Sequence, residues 1–342
     1  MTSLQIALLV AFVGFAGCSP EVPKLIPRPD RSLEKIDGDT SGGLEVFEPS
    51  VDILFVVDNS GSMSFHQANL IKNIDKFVGA FTKRTNINYH IGVITSSMGY
   101  RSRSAECCGK LNGIPAYVDR TTTDGITVLS RNLRAGTDGS TTEMFFDPVV
   151  AALSSPMIDN DNAGFLRKEA HLAIVFITDA EDQSSDHNLK ETYDFLVNLK
   201  GNKAKVLSYG VIVPSSVDNC PRDQGDAPVK IEEFLNLMPN AGHNEYSLCD
   251  PEFGTHVAQI ANDLVRYVGN LIFLSRPPVL QSIHVKFGTQ EILRDVKRGW
   301  SFDSAQNAIV FGDDVVWTEQ ATGTKVKVYY EAVPTSPNEQ KP

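Results

Sequence analysis

The sequence has no excess of positive charge. Its 342 residues include 31 Lys and Arg against 42 Asp and Glu, which gives a formal net charge of −11. No cluster of Lys and Arg interrupts this balance along the chain. Because proteins that bind nucleic acid need a concentrated basic surface to neutralise phosphates, we expect no nucleic-acid partner.

Catalytic motifs are also missing. The sequence contains no His-Glu-x-x-His, no Gly-x-Ser-x-Gly and no phosphate-binding glycine-rich loop with a lysine. His171 opens an apolar run and His187 lies near an acidic loop, positions typical of structural or solvated histidines. Hydrolysis by a metal-bound water would need a base beside the metal, for which Glu181 and Asp182 are the available side chains. We expect that the protein is not an enzyme.

A membrane-spanning apolar run is lacking too, and the run at residues 6–17 is too short for the about 20 residues of a spanning helix. Its length suits the core of a signal peptide. The run ends in Phe15-Ala16-Gly17-Cys18, which resembles the lipobox of bacterial lipoproteins. The resemblance implies a signal peptide over residues 1–17 and acyl chains on Cys18. The alternative is an ordinary cleaved signal followed by an unmodified Cys18.

The same resemblance implies a location. Ser19 follows the cysteine, whereas lipoproteins retained at the inner membrane commonly carry Asp there. We therefore expect a protein of the cell envelope that is lipid-anchored at the outer membrane. Two or three acyl chains hold a protein stably on a membrane where one chain would not.

Cysteine is scarce, with 5 residues in the chain. Export places the protein in an oxidising compartment, where disulfides form. Beyond Cys18 there are Cys107, Cys108, Cys220 and Cys249, which allow three pairings that sequence alone does not distinguish. The spacing of the adjacent pair does not suit a zinc site, and a bridge between neighbours strains the peptide. We favour a Cys220–Cys249 disulfide and leave the pairing of Cys107 and Cys108 open.

Proline, glycine and charged residues without hydrophobic periodicity fill the segment before residue 50. This composition predicts that the lipidated cysteine is followed by a flexible tether, over residues 18–49. We divide the rest of the chain into an α/β domain over residues 50–275, a small β-domain over 276–332 and a polar tail over 333–342.

Apolar runs at residues 51–57, 89–95, 172–178 and 206–213 predict buried strands. Helical periodicity follows the first run over residues 70–81 and returns over Phe253–Ile272. Strands that alternate with helices indicate a Rossmann-like α/β fold with a doubly wound, mainly parallel sheet. After residue 277 the period changes to two, which predicts that the small β-domain is antiparallel.

Oxygen-bearing side chains follow two of the predicted strands. Asp58, Ser60 and Ser62 come after the first strand, and Asp179 comes after the strand that ends at residue 178. A third loop at residues 136–143 adds further hydroxyls. Since the carboxyl ends of parallel strands share one edge of the sheet, we expect one oxygen-rich site suited to Mg²⁺ or Mn²⁺. The alternative is that these residues only form turns and helix caps.

The arrangement resembles the metal-ion-dependent adhesion site (MIDAS) of von Willebrand factor type A (VWFA) domains. Its Asp-x-Ser-x-Ser motif matches Asp58-Ser60-Ser62, and its third-loop aspartate matches Asp179. The family threonine matches the cluster at residues 140–142, where we choose Thr142 over Thr141 and Ser140. The resemblance implies an octahedral Mg²⁺ (or Mn²⁺) site that binds a protein partner through its Asp or Glu carboxylate, or a polysaccharide.

Two further alternatives remain. The protein could instead be a structural or envelope-assembly scaffold in which the metal only stabilises the loops. The acidic run of Glu181, Asp182 and Asp186 could form a second cation site, although a solvated acidic loop is the preferred interpretation.

Overall fold

The computed structural model describes residues 44–47, 49–82, 87–99, 107–216, 227–250, 253–312, 314–318, 320–321 and 324–333. The signal peptide, Cys18, most of the predicted tether and most of the polar tail lie outside the described residues. The strands are β1 (Leu44–Phe47), β2 (Ser50–Val57), β3 (Asn88–Thr95), β4 (Tyr117–Val118), β5 (His171–Thr178), β6 (Val206–Ile212), β7 (Glu245–Ser247), β8 (Leu271–Phe273), β9 (His284–Phe287), β10 (Gln290–Ile292), β11 (Trp300–Asp303), β12 (Ala308–Phe311) and β13 (Val326–Tyr329). The helices are α1 (Ser64–Thr82), α2 (Gly125–Asn132), α3 (Phe146–Leu153), α4 (Leu189–Lys200), α5 (Val229–Asn236) and α6 (Phe253–Asn270).

A six-stranded sheet in the order β4-β3-β2-β5-β6-β7 forms the centre of the α/β domain. Every neighbouring pair is parallel except β3 with β4, which is antiparallel. The four predicted strands are β2, β3, β5 and β6, and the predicted mainly parallel α/β fold is confirmed. Their apolar runs are continuous because helices cover both faces of the sheet.

Two hydrophobic cores lie on the two faces of this sheet. Alternate side chains of β2, including Phe55, pack with apolar residues of α1 and α6 on one face. The intervening residues, including Leu54, pack with α3, α4 and α5 on the other. Burial of apolar area on both faces supplies most of the stability of the domain, which leaves the loops at the strand ends free to carry polar chemistry.

The small β-domain contains two antiparallel sheets, in the orders β1-β13-β9-β10 and β11-β12-β8. The antiparallel β-domain is therefore confirmed, but two of its strands lie outside the predicted boundaries. β1 falls in the segment interpreted as a tether, and β8 begins where the helical pattern was extended to Ile272. Each strand has only three or four residues, too few to show a period of two, and each is fixed by a partner far along the chain.

The cysteines are described in part. Cys107 and Cys108 form a disulfide with each other, with their Cα atoms 3.7 Å apart, which settles the pairing that the sequence left open. Cys249 is also disulfide-bonded. Cys220 lies outside the described residues, so the Cys220–Cys249 pairing stays a prediction.

Of the helices in the described part of the chain, none has both the length and the apolar character needed to cross a membrane.

Candidate metal centre

The two predicted acidic ligands follow neighbouring strands of the central sheet. Asp58 comes directly after β2 and Asp179 directly after β5, and these strands pair along their whole length. The Asp58 N–H extends the pairing by donating to the Ile177 carbonyl at 3.0 Å. After β2 the chain enters α1 on one face, and after β5 it enters α4 on the other. The centre therefore lies at the switch point of the strand order, where doubly wound sheets bind ligands.

Hydroxyl groups connect the two loops. The Ser60 and Ser62 Oγ atoms lie 2.9 Å apart, and the Ser62 hydroxyl donates to Asp179 Oδ1 at 3.0 Å. A short 3₁₀ turn over Gly61–Met63 brings both serines to the same side before α1 begins. Three of the predicted ligands are thus joined by direct side-chain contacts.

Asp58 is the buried member of the centre, with 0% of its surface exposed. Its Oδ1 accepts a hydrogen bond from the Ser60 N–H at 2.8 Å, and its Oδ2 accepts one from the Thr178 hydroxyl at 2.7 Å. Burial raises the pKa of the Asp58 carboxyl above its usual range, and the nearby charge of Asp179 raises it further, against the hydrogen bonds that lower it. A cation beside this carboxyl would lower its pKa again.

The oxygen spacings fit an octahedral cation. Mg²⁺ holds its ligands at about 2.0–2.1 Å, so adjacent ligands around it lie about 2.8–3.0 Å apart. The Ser60–Ser62 and Ser62–Asp179 oxygen distances of 2.9 and 3.0 Å fall in that range. The described residues contain no group of three or more His, Cys, Asp or Glu side chains that could hold a metal. A cation at this position would have to be held by the two carboxylates together with neutral hydroxyls.

Asn59 and Gln67 hold the loops in place, and the sequence analysis did not identify either role. The Gln67 side-chain amide donates to the carbonyls of Asp58 at 2.7 Å and Gly136 at 2.8 Å. The buried Asn59 accepts the Gly139 N–H at its backbone carbonyl (2.9 Å) and the Ser97 hydroxyl at its Oδ1 (2.9 Å). Asn59 is an unspecified position of the Asp-x-Ser-x-Ser motif and Gln67 lies inside α1, so no sequence signal marked them.

The third loop approaches the centre through its first half. The Ser140 N–H donates to Ser97 Oγ at 3.1 Å, and the Thr142 N–H donates to Ser140 Oγ at 3.0 Å. The side chains of Thr141 and Thr142 are exposed. The hydrogen bonds described here join this loop to the Asp58 loop through residues 139–140, and the choice of Thr142 as a ligand stays a prediction.

The acidic run after Asp179 is not simply a solvated loop. Asp182 is 2% exposed, and its Oδ1 accepts the Phe145 N–H at 2.7 Å and the Phe146 N–H at 3.3 Å, where α3 begins. Asp147 of α3 in turn accepts the Ser185 N–H at 2.9 Å. Asp182 therefore caps a helix and anchors the loop that carries Asp179, which corrects the solvated-loop interpretation at this residue.

The two histidines interpreted from sequence as structural or solvated, His171 and His187, lie outside the hydrogen bonds that join the predicted ligands. His171 begins β5, at the opposite end of the sheet from Asp179, and is buried. His187 contacts Asp147 through its backbone N–H at 2.8 Å and its Nδ1 at 3.1 Å. Their contacts are structural.

No protein-family model and no curated protein matches the chain. The proteins that it resembles are known from solved structures. A structure of proximal thread matrix protein 1 from the mussel byssus, with a zinc-occupied MIDAS motif, is 10% identical (TM-score 0.40), over 67% of this chain and 50% of that one. A von Willebrand factor type A protein from Catenulispora acidiphila is 10% identical (TM-score 0.36), and the match covers 83% of this chain and 58% of that protein. The pilus adhesin SpaC from Lactobacillus rhamnosus GG, in an open conformation, is 12% identical (TM-score 0.40), and the match covers 89% of this chain and 43% of that protein. The chain thus spans about half the length of these proteins, and TM-scores below 0.5 do not establish its family.

Proposed function

We propose that this chain is a cell-envelope protein with a VWFA-type domain that captures a partner through a divalent cation. Asp58, Ser60, Ser62 and Asp179 would hold Mg²⁺ or Mn²⁺, with a hydroxyl from residues 140–142. When bound, the cation would supply a positive charge with an open position for an Asp or Glu carboxylate of a protein partner. An acidic polysaccharide offers the same chemistry.

The observation that carries the proposal is the oxygen chain from Ser60 through Ser62 to Asp179, whose spacings equal those of neighbouring ligands around Mg²⁺. The buried Asp58 adds a carboxyl whose pKa is raised by burial and would be lowered by a nearby cation. Serine hydroxyls bring no formal charge. A cation bound partly by them therefore stays attractive to an additional carboxylate.

The scaffold alternative assigns the cation only the task of ordering the loops. The loops are already connected without it. Gln67 and Asn59 both join the Asp58 loop to the loop at residues 136–143, and the Thr178 hydroxyl joins the end of β5 to Asp58. Asp182 fixes the loop after β5 from its other end. These contacts favour a binding role for the cation over a purely structural one.

The proposed setting is the surface of the outer membrane, with an anchor on Cys18. Replacement of Cys18 by Ala removes the acyl chains and is expected to shift the protein from the membrane fraction to the soluble fraction. Membrane fractionation of cells that express each form tests this, and unchanged membrane association of the variant contradicts the anchor.

Partner capture is tested by a pull-down from envelope extracts, with and without EDTA. A partner that is retained with Mg²⁺, lost with EDTA and lost with Asp179→Asn supports the proposal. Asp186→Asn is a matched control, because Asp186 is an exposed carboxylate of the same loop. If Asp179→Asn and EDTA leave every interaction intact, the scaffold alternative replaces the proposal.

A further inference from the structure

The small β-domain carries a basic face on a protein of net charge −11. We define this face as the exposed side of the sheet formed by β1, β13 and β9. Its exposed members are Leu44, Val46, His284, Lys286, Lys325 and Lys327. Leu44 is 45% exposed and Val46 is 52% exposed, so the face combines lysines with aliphatic side chains.

The strand register places like charges side by side on this face. Val46 pairs with Lys327, and Lys327 pairs with Lys286. Lysines directly opposite each other destabilise a sheet. Lysines on an edge strand can be explained as protection against aggregation, but β13 and β9 are internal strands of this sheet. The lysine row therefore calls for another explanation.

A basic cavity of about 430 Å³ adjoins the face at the amino ends of the central strands. Val46 and Lys325 belong to both the face and the cavity, and Arg167 and Lys205 approach the cavity from the α/β domain. Lys200 lies behind them, where its Nζ donates to the Arg167 carbonyl. Burial lowers the pKa of Lys200 to about 8, with the charges of Lys205 and Arg167 adding to the effect and that of Asp52 opposing it.

The carboxylates in this region already have partners. Asp52 is buried and binds the Arg167 guanidinium at 2.7 Å, and Glu169 binds Lys205 at 3.2 Å. Glu291, on the neighbouring strand β10, lies directly opposite Lys286 and contacts His284 at 3.3 Å, so it offsets part of the charge of the lysine row. Among the residues named here the cations are Arg167, Lys200, Lys205, Lys286, Lys325 and Lys327, and the carboxylates are Asp52, Glu169 and Glu291.

We propose that the basic face and its cavity dock on an anionic lipid bilayer, with a lipid phosphate group in the cavity. The cations complement the lipid charge and the two aliphatic side chains enter the interfacial region. The face also begins at β1, the first described strand after the segment that carries the proposed anchor. This inference relies on the proposed envelope location for its setting and does not depend on the metal centre.

Docking in this way determines which way the metal centre faces relative to the bilayer. The cavity lies at the Ser50 end of β2, and Asp58 lies at the other end. Eight residues of strand separate these ends by about 23 Å. A chain that rests on the bilayer through the basic face would therefore present the metal centre away from the membrane, toward a partner.

The test uses the chain from Ser19 onward, so that neither the apolar run at residues 6–17 nor acyl chains contribute, and EDTA to prevent cation bridging. Flotation with phosphatidylcholine vesicles is compared with flotation with vesicles that also contain phosphatidylglycerol. We expect strong preference for the anionic vesicles, which weakens as salt is raised. Replacement of Lys286, Lys325 and Lys327 by Gln should lower the affinity on the order of 100-fold.

The matched control replaces three other exposed lysines, Lys72, Lys76 and Lys190, by Gln and should bind as the parent does. Flotation that shows no preference for anionic vesicles overturns the proposal. Equal losses in both triple variants also overturn it. Mg²⁺ binding of the variant with Lys286, Lys325 and Lys327 replaced is measured separately and should be unchanged. Failure of the lipid-docking proposal is then distinguishable from failure of the metal centre.

Discussion

The Ser62 hydroxyl donates to Asp179 Oδ1 at 3.0 Å, although the two residues are 117 positions apart in the chain. The contact exists because β2 and β5 are neighbours in the sheet and both end at the same edge. The position of this contact depends on the surrounding loops, which are held by hydrogen bonds of Asn59 and Gln67. Changes to these loop contacts should therefore affect metal binding without disturbing the core.

Gly139→Ala is expected to weaken Mg²⁺ binding. A Cβ at this position would lie 2.3 Å from Asn59 Oδ1, and Asn59 is fully buried with little room to move. The loop should shift and carry the hydroxyls of residues 140–142 away from Asp58, and we expect at least a tenfold loss of affinity (about 1.4 kcal/mol), measured by calorimetry.

Gly79→Ala in α1 is the matched control, because a Cβ there meets nothing within 4 Å. Alanine in a helix is also preferred over glycine by about 1 kcal/mol. Equal Mg²⁺ affinity of Gly139→Ala and Gly79→Ala would contradict the proposed role of the Asn59–Gly139 contact.

Asp182→Ala is expected to destabilise the protein, because it leaves the Phe145 N–H without its acceptor. It also removes the hydrogen bond that positions the Ser184 hydroxyl, the other acceptor of the Phe146 N–H. An unsatisfied buried donor costs about 1–3 kcal/mol, and we expect a loss in this range from urea unfolding. Asp186→Ala removes an exposed carboxylate of the same loop and should cost under about 0.5 kcal/mol. Equal stability of the two variants would show that Asp182 is not a helix cap.

His171 should make the protein less stable in mild acid. Burial lowers its pKa from 6.5 to about 4, and the charges of Lys205 and Lys200 add to the effect. Below pH 6.5 the unfolded chain binds a proton that the folded chain does not bind until about pH 4, so stability falls as the pH falls through this window. The residue should account for about 2 kcal/mol between pH 7.5 and pH 5.

Urea unfolding at both pH values checks this. In His171→Gln the difference in unfolding free energy between pH 7.5 and pH 5 should shrink by about 2 kcal/mol. It should stay unchanged in His284→Gln, which alters an exposed histidine. An unchanged pH dependence in His171→Gln would contradict a buried neutral His171.

The central sheet was predictable because its strands carry strong local signals. Continuous apolar runs at β2, β5 and β6 show burial on both faces, and the parallel arrangement then places Asp58 and Asp179 at one edge. The contact between Ser62 and Asp179 confirms that the two loops meet. The sequence could therefore predict that the loops carrying Asp58, Ser62 and Asp179 meet, and their use as metal ligands stays a prediction.

Features that depend on distant partners were not predictable. β1 and β8 are short strands that exist through their pairing with β13 and β12. Asp182 looks like any acidic loop residue until α3 is placed against it. Likewise, Lys286 and Lys327 lie 41 positions apart in sequence and become neighbours only through the register of β9 and β13.

The most direct test of the proposed function is calorimetric titration of the purified protein with Mg²⁺ and with Mn²⁺, with and without acetate as a soluble carboxylate. We predict saturable binding at millimolar concentration or below, tighter with acetate. Asp58→Asn should lose this binding while its circular dichroism spectrum and most of its melting temperature stay unchanged, and Asp186→Asn should bind as the wild type does. A wild-type protein that takes up neither cation at millimolar concentration, even with acetate present, would contradict the metal centre and the function proposed from it.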